Sequence, residues 1–277
     1  MASLKSGWRS QNAAKAGSAR GMQKRLLVTA DDFGMCHAVN AGTVRAMRHG
    51  IVRSSNFLVP CPWFSEALSL AQKYELPIGV HLCVTCDWDN LRWGPLTRSA
   101  GLCDALGYFH PRFEPIQQQA SDEEITLEYE AQIARVRSLG FEPTHLDTHM
   151  LPASDRGPGA LRLKSLIAGV AKRSGLRYLY ETDDTGRLRY FDQELEISGE
   201  GWASVWNRLS SLGPGTYHLI GHAAEPSPEL EAMCSADHPA GPWAAGVRGM
   251  DLAFFTSAST RQRLDDLGFE LITVAEL

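Results

Sequence analysis

What this chain has little of narrows its function before any motif is considered. Over 277 residues the formal net charge is -5, so there is no excess of Lys and Arg to draw nucleic acid. No apolar run approaches the roughly 18 residues that a membrane-crossing helix requires. Cysteine is sparse and scattered, at Cys36, Cys61, Cys83, Cys86, Cys103 and Cys234, without the density of a small disulfide-stapled secreted domain. That usage points to a reducing compartment, the cytoplasm. Glycine is missing where a dinucleotide fingerprint needs three of them: the first apolar run continues as Thr29-Ala30-Asp31-Asp32-Phe33-Gly34, which sets nucleotide cofactors aside. The GxSxG pattern of an acyl-transfer serine is absent. No second CxxC accompanies Cys83-Val84-Thr85-Cys86, and residues three apart on a strand face opposite sides, so a zinc or redox pair there is set below a core role for Cys83.

Acids are missing from the first 30 positions, which hold Lys5, Arg9, Lys15, Arg20, Lys24 and Arg25. With little apolar periodicity before Leu26, residues 1–22 read as a flexible basic arm. An organelle transit peptide and an expression-derived tail are the other readings, while the lack of an apolar core excludes a secretory signal. Residues 23–277 read as one domain. Short β-rich runs at 25–30, 52–59, 77–84, 144–149, 176–181, 216–221 and 269–274 alternate with helix-like segments at 37–49, 63–75, 121–139, 158–174, 201–212 and 258–267. That alternation predicts an α/β fold with about seven parallel strands, an irregular or incompletely closed relative of the (β/α)8 TIM barrel; an open doubly wound sheet is the alternative. Ser121 and Glu124 form a capping box at the start of one helix, and Gly140 stops it. The connections 85–120 and 222–246 exceed the roughly 12–15 residues typical of plain loops. The first carries Trp88, Trp93, Tyr108 and Phe109: either these rings stack on a sugar, with Trp88 and Trp93 as substrate-binding residues, or they pin the loop to the barrel.

Polar signals fall at the C-terminal ends of four predicted strands, the rim where parallel barrels build their sites. They are Asp31 with Asp32, His81, the row His145, Asp147 and His149, and His222. Alternation along a strand puts His145, Asp147 and His149 on one face. Two imidazoles and one carboxylate make a facial set for a divalent cation with positions left open. Asp32, His81 and His149 are the expected ligands, Asp31 beside them the expected general base, and Asp147 with His145 the supporting groups behind the ligands. Gly79 leaves room on the His81 strand for a close neighbour. The cofactor is one divalent ion, Mg2+ or Zn2+, the softness of the donor set favouring zinc or another transition ion.

The stretches Ala30-Asp31-Asp32-Phe33-Gly34, Gly79-Val80-His81-Leu82 and Thr144-His145-Leu146-Asp147-Thr148-His149, in this order and spacing, resemble the YdjC-like carbohydrate deacetylases, which include the chitooligosaccharide deacetylases. The likeness runs from about Arg25 to the C-terminus. It implies a barrel-like α/β fold and metal-assisted hydrolysis of an N-acetyl group on an amino sugar, with magnesium the commonly assigned ion. It also implies His222 as the acid that protonates the departing amine. Two departures, Met150-Leu151-Pro152 after the HxDxH pattern and Ala223-Ala224-Glu225 after His222, bear on which sugar is taken. The rival readings are another metal-dependent hydrolase on the same rim, acting on a phosphodiester or a different amide, and a sugar-binding protein without catalysis. The expected partner is an N-acetylated sugar, with no nucleic acid and no membrane span, and a homodimer is left open.

Overall fold

The computed structural model describes residues 23–151, 157–196, 202–235 and 243–277; the arm expected over 1–22 lies outside the described residues. Seven strands, β1 (Lys24–Phe33), β2 (Ser54–Phe57), β3 (Ile78–Leu82), β4 (Leu146–Thr148), β5 (Gln193–Glu196), β6 (Gly215–Gly221) and β7 (Phe269–Ile272), pair in parallel in the order β4-β3-β2-β1-β6-β5. β7 pairs with the first half of β1, Lys24 to Leu27, and β2 with its second half from Thr29 on. The helices are α1 (His37–His49), α2 (Phe64–Tyr74), α3 (Phe113–Gln119), α4 (Asp122–Ser138), α5 (Pro158–Ser174), α6 (Trp202–Ser211), α7 (Pro228–Glu231), α8 (Trp243–Thr256) and α9 (Ala258–Asp266). The result is a half-barrel of parallel strands backed by helices, in one α/β domain.

Two expected elements differ. The segment 176–181 makes a single parallel bridge, Leu146 with Tyr178. The chain then turns where Asp183 Oδ1 accepts hydrogen bonds from Thr185 and Arg187 and Gly186 adopts φ 79°. The sheet resumes instead at β5, whose Gln-Glu-Leu-Glu buries fully only Leu195 among its described side chains and so carries almost no apolar signal. The second difference is α8, which falls where a long connection and an unassigned stretch were expected. Its Phe254 and Phe255 are fully buried against β1 and α6 residues such as Val28 and Trp206. Elsewhere the helices follow their sequence signals. Ser121 Oγ accepts from the Glu124 amide while Glu124 accepts from that of Ser121, and Gly140 takes φ 77° just past the end of α4. Glu128 and Gln132 of α4 are buried because they bind the backbone of Leu96, Thr97 and Cys83, anchoring the connection that leaves β3.

The inside of this half-barrel is polar, where a regular (β/α)8 barrel fills it with branched aliphatic side chains. Register aligns Thr29 with Ser54, Asn56 with Gly79, and His81 with Asp147, and the inward members find each other. His218 Nε2 meets Thr29 Oγ1 at 2.8 Å; the His145 ring meets Thr144 Oγ1 at 2.8 Å and Ser54 Oγ at 3.4 Å. Burial drives both imidazoles down, to about 3 for His218 and about 4 for His145, so both are neutral. The room that Gly79 leaves is filled by the His145 ring, which a Cβ there would approach to 2.6 Å. Gly79→Ala is therefore expected to cost ~1–3 kcal/mol by overpacking, read from urea unfolding. The cost should vanish when His145 is already Ala, so purely additive losses in Gly79→Ala/His145→Ala would contradict this packing.

Candidate active site

Consecutive residues on a strand face opposite sides, yet Asp31 and Asp32 reach one cluster. The pairing of β1 with β2 shifts register between Ala30 and Phe33, and Asp32 sits at φ 69°, a left-handed conformation uncommon outside glycine. Gly34 follows at φ 115°. Asn40 of α1, fully buried, pins this turn. Its Oδ1 accepts from the Gly34 amide at 2.8 Å, and its Nδ2 donates to Trp63 O at 3.1 Å and Glu66 Oε2 at 2.8 Å. Sequence reasoning missed Asn40, a polar residue on the buried face of an otherwise conventional helix.

Around that turn the groups gather. His81 Nε2 lies 3.6 Å from Asp32 Oδ1 and 3.9 Å from Asp31 Oδ2, and His149 Nδ1 lies 3.3 Å from Asp32 Oδ1. One ligand atom from each of Asp32, His81 and His149 fits within 4.8 Å of the others, all three side chains buried. Asp32 Oδ1 is a buried oxygen without a hydrogen-bond partner, while Oδ2 accepts from Arg248 at 2.7 Å. Burial opposes charge on Asp32, but Arg248 and then His149 outweigh it and hold the carboxyl well below the usual range. An anionic oxygen with no donor of its own, facing two imidazole nitrogens, fits the donor set of one divalent cation.

Behind His81 stands Asp147, whose Oδ1 accepts from His81 Nδ1 at 2.7 Å. The Asn56 amide joins it to Asp31: Nδ2 donates to Asp31 Oδ1 at 2.7 Å and to Asp147 Oδ2 in a short hydrogen bond. Burial pushes Asp31 upward; His81 opposes this, and the nearby Asp147 and Asp32 add to it. For Asp147, burial is outweighed by the charge and hydrogen bond of His81, which keep the carboxyl low. His149 is held from its far side by Asp87, whose Oδ1 meets Nε2 at 2.8 Å. Burial alone would lower His149, but Asp87 and Asp32 raise it to about 10.

Of the expected row on β4, only Asp147 and His149 reach the cluster. His145 lies a layer deeper and bonds Thr144 and Ser54, not a ligand; inward facing is shared by the row, depth is not. Trp88 and Trp93 are buried, so neither offers a ring face for stacking, which corrects that reading in favour of packing. Trp93 sets its edge against the His149 ring at 6.1 Å between centroids. The half-exposed indole near the turn is Trp63, whose amide donates to Gly34 O at 3.1 Å. Cys83 and Cys86 are buried free thiols, raised by burial, as befits packing residues.

His222 follows β6 directly and is half-buried. Its amide donates to Asp251 Oδ2 at 2.8 Å, and burial pushes its imidazole down to about 4 against the pull of Asp32. Asp251 and Arg248 both come from α8, so this helix holds the Asp32 carboxylate and the backbone of His222. Their i,i+3 spacing places both on one helix face but does not name the groups they reach. The two long connections also meet: the Asp89 amide donates to Cys234 O at 2.8 Å, and the Asn90 side chain bonds Cys234 N at 3.1 Å and Ala232 O at 2.5 Å.

Residues 25–266 match the YdjC-like protein family. The chain belongs to that family. It is 32% identical over 230 residues to a carbohydrate deacetylase of Thermus thermophilus, covering 77% of this chain and 82% of that protein. It is 27% identical over 267 residues to a carbohydrate deacetylase of Brevibacillus brevis, covering 91% and 99%. A solved structure from Enterococcus faecalis, described as a putative cellobiose-phosphate cleavage protein, superposes with a TM-score of 0.75 at 22% identity, covering 92% of this chain and 98% of that one. It shares the fold.

Replacing Asn56 tests the carboxylate bridge. In Asn56→Leu, Asp31 and Asp147 lose their common donor, and the raised carboxyl of Asp31 rises further. A carboxyl raised in the folded state destabilises that state once pH climbs past the unfolded value near 4. The wild-type group is already raised, so the extra loss is small at pH 5 and grows toward pH 8. Urea unfolding in chelator is expected to show a loss of ~1–3 kcal/mol at pH 8 and less at pH 5; equal losses at the two values would contradict the bridge.

Proposed function

We propose that this YdjC-like protein is a metal-dependent carbohydrate deacetylase, which hydrolyses the acetyl group of an N-acetylated amino sugar or oligosaccharide. Its relatives named carbohydrate deacetylases support the reaction class. The observation that carries the metal reading is the lone Asp32 Oδ1, buried between His81 Nε2 and His149 Nδ1. Asp32, His81 and His149 would hold one cation, Mg2+ or Zn2+. When bound, such an ion supplies Lewis-acid polarisation of an acyl oxygen and brings the pKa of water from 15.7 to about 7.

The remaining steps fall to the chain's own groups. Asp31, raised by burial and kept in place by Asn56, takes the proton of the attacking water through Oδ2, the oxygen that Asn56 leaves free. His222 begins neutral, so it takes up a proton from solvent before it gives one to the leaving nitrogen, and Asp31 afterwards releases to solvent the proton it took from water. Negative charge growing on the acyl oxygen nearby would raise its proton affinity for that purpose. Arg248 keeps Asp32 anionic throughout. Among the described residues no helix is long and apolar enough to cross a membrane, and the proposed partner is a carbohydrate. A phosphodiester hydrolase would call for a second metal or a cationic phosphate clamp; Asp31, His81 and Asp147 form a second group that could hold an ion, while Arg248 Nη2 is engaged by Asp32, so the substrate panel decides between the two.

The test is acetate release from a panel of N-acetylated mono-, oligo- and lipid-linked sugars, with phosphate esters alongside, in the presence and absence of divalent ions. Wild-type protein should release acetate only with metal. Asp31→Asn and His222→Ala should keep fold and metal while losing about 10²–10⁴ in rate, the usual worth of general acid or base help. Near-normal turnover in either variant would remove the role given to that residue, and phosphate release without acetate would favour the rival hydrolase.

A further inference from the structure

His149 lies one residue past β4 and just before Met150, which adopts φ 56°. The strand therefore does little to orient its ring. What fixes the backbone is the His149 amide donating to Leu82 O at 3.1 Å. The ring is walled by the His81 ring at 5.3 Å and the Trp93 edge at 6.1 Å between centroids. Its rotation is then decided at the far nitrogen, where Asp87 Oδ1 stands 2.8 Å from Nε2. A carboxylate accepts but cannot donate, so this contact requires hydrogen on Nε2, and Nδ1 is the nitrogen that faces Asp32 Oδ1, at 3.3 Å. At His81 the arrangement is reversed: Asp147 accepts from Nδ1, and Nε2 is the nitrogen that faces Asp32.

Resting on the metal-binding reading above, we infer that Asp87 is a positioning residue that locks His149 in the Nε2–H tautomer, so that His149 ligates through Nδ1 whereas His81 ligates through Nε2. Carboxylates that hold the second nitrogen of a ligand imidazole in this way fix its orientation and sharpen its basicity. Asp87 comes from the connection between β3 and α3, which is tied through Asp89 and Asn90 to the segment carrying His222. The ligand set is thus completed by a loop, not by the barrel alone.

The experiment is calorimetric titration of the full chain with Zn2+ and with Mg2+, paired with nitrogen-15 histidine spectra of the Zn2+ form. Asp87→Ala should bind the ion about 10- to 100-fold more weakly than wild type. Asp87→Asn, whose side-chain oxygen still accepts from Nε2–H, should fall between. Urea midpoints in chelator separate this effect from loss of fold. In the wild-type Zn2+ form, His149 should show a protonated Nε2 and a metal-shifted Nδ1, and that pattern should be lost or mixed in Asp87→Ala. Unchanged affinity in a folded Asp87→Ala protein, or a metal-shifted Nε2 at His149 in wild type, would overturn the inference while leaving the metal reading in place. A wild-type protein that binds neither ion would overturn both.

Discussion

Buried charge is the constraint on which the upper half of this molecule depends. Asp31, Asp32 and Asp147 are almost wholly removed from water, and each isolated ion would be costly there. Each is met by a different kind of partner: Arg248 for Asp32, the His81 imidazole for Asp147, and the Asn56 amide shared between Asp31 and Asp147. Removing one partner from such a set leaves a charge without compensation, which costs more than the lost contact alone. Asp32 differs from the other two because one of its oxygens is fully buried without a hydrogen-bond partner even after Arg248 is counted. That buried oxygen, facing the His81 and His149 nitrogens, suits a cation.

The fold serves this arrangement by layering polar groups down the inside of the sheet. Neutral His145 and His218 occupy the lower layer with Ser54 and Thr29, Asn56 and Asp147 the middle one, and Asp32 and His149 the rim. Because the strands are parallel and nearly in register, a single step of two residues moves a side chain one layer. This is why His145, Asp147 and His149 share a face yet have three separate environments. The helices outside contribute as well, Asn40 from α1 by fixing the Asp31-Asp32 turn and Arg248 and Asp251 from α8 by reaching across the rim.

Much of this was legible in the sequence wherever a local pattern had to be kept for local reasons. The strong apolar strands β1, β3 and β6, the capped helix α4 and the motif residues Asp31, Asp32, His81 and His149 are of that kind. β5 was not legible because its Gln-Glu-Leu-Glu edge strand offers one fully buried apolar side chain among those described, and the apolar stretch 176–181 misled because it makes only the Tyr178 bridge to Leu146 before the chain turns at Asp183. Asn56, Asp87 and Arg248 escaped notice for a different reason. Their meaning lies in contacts 25, 62 and 216 residues away in sequence, and no periodicity encodes those. Of the two readings of the loop tryptophans, burial of Trp88 and Trp93 supports packing, and the half-exposed indole near the Asp31-Asp32 turn is Trp63.

The account stands or falls on Asp32, His81 and His149 sharing one cation. The most direct measurement is anomalous diffraction from crystals grown with Zn2+, with data collected on both sides of the zinc absorption edge. The account predicts one strong anomalous peak within bonding distance of Asp32 Oδ1, His81 Nε2 and His149 Nδ1. A zinc peak bound elsewhere on the protein, with these three side chains uncoordinated, would contradict it.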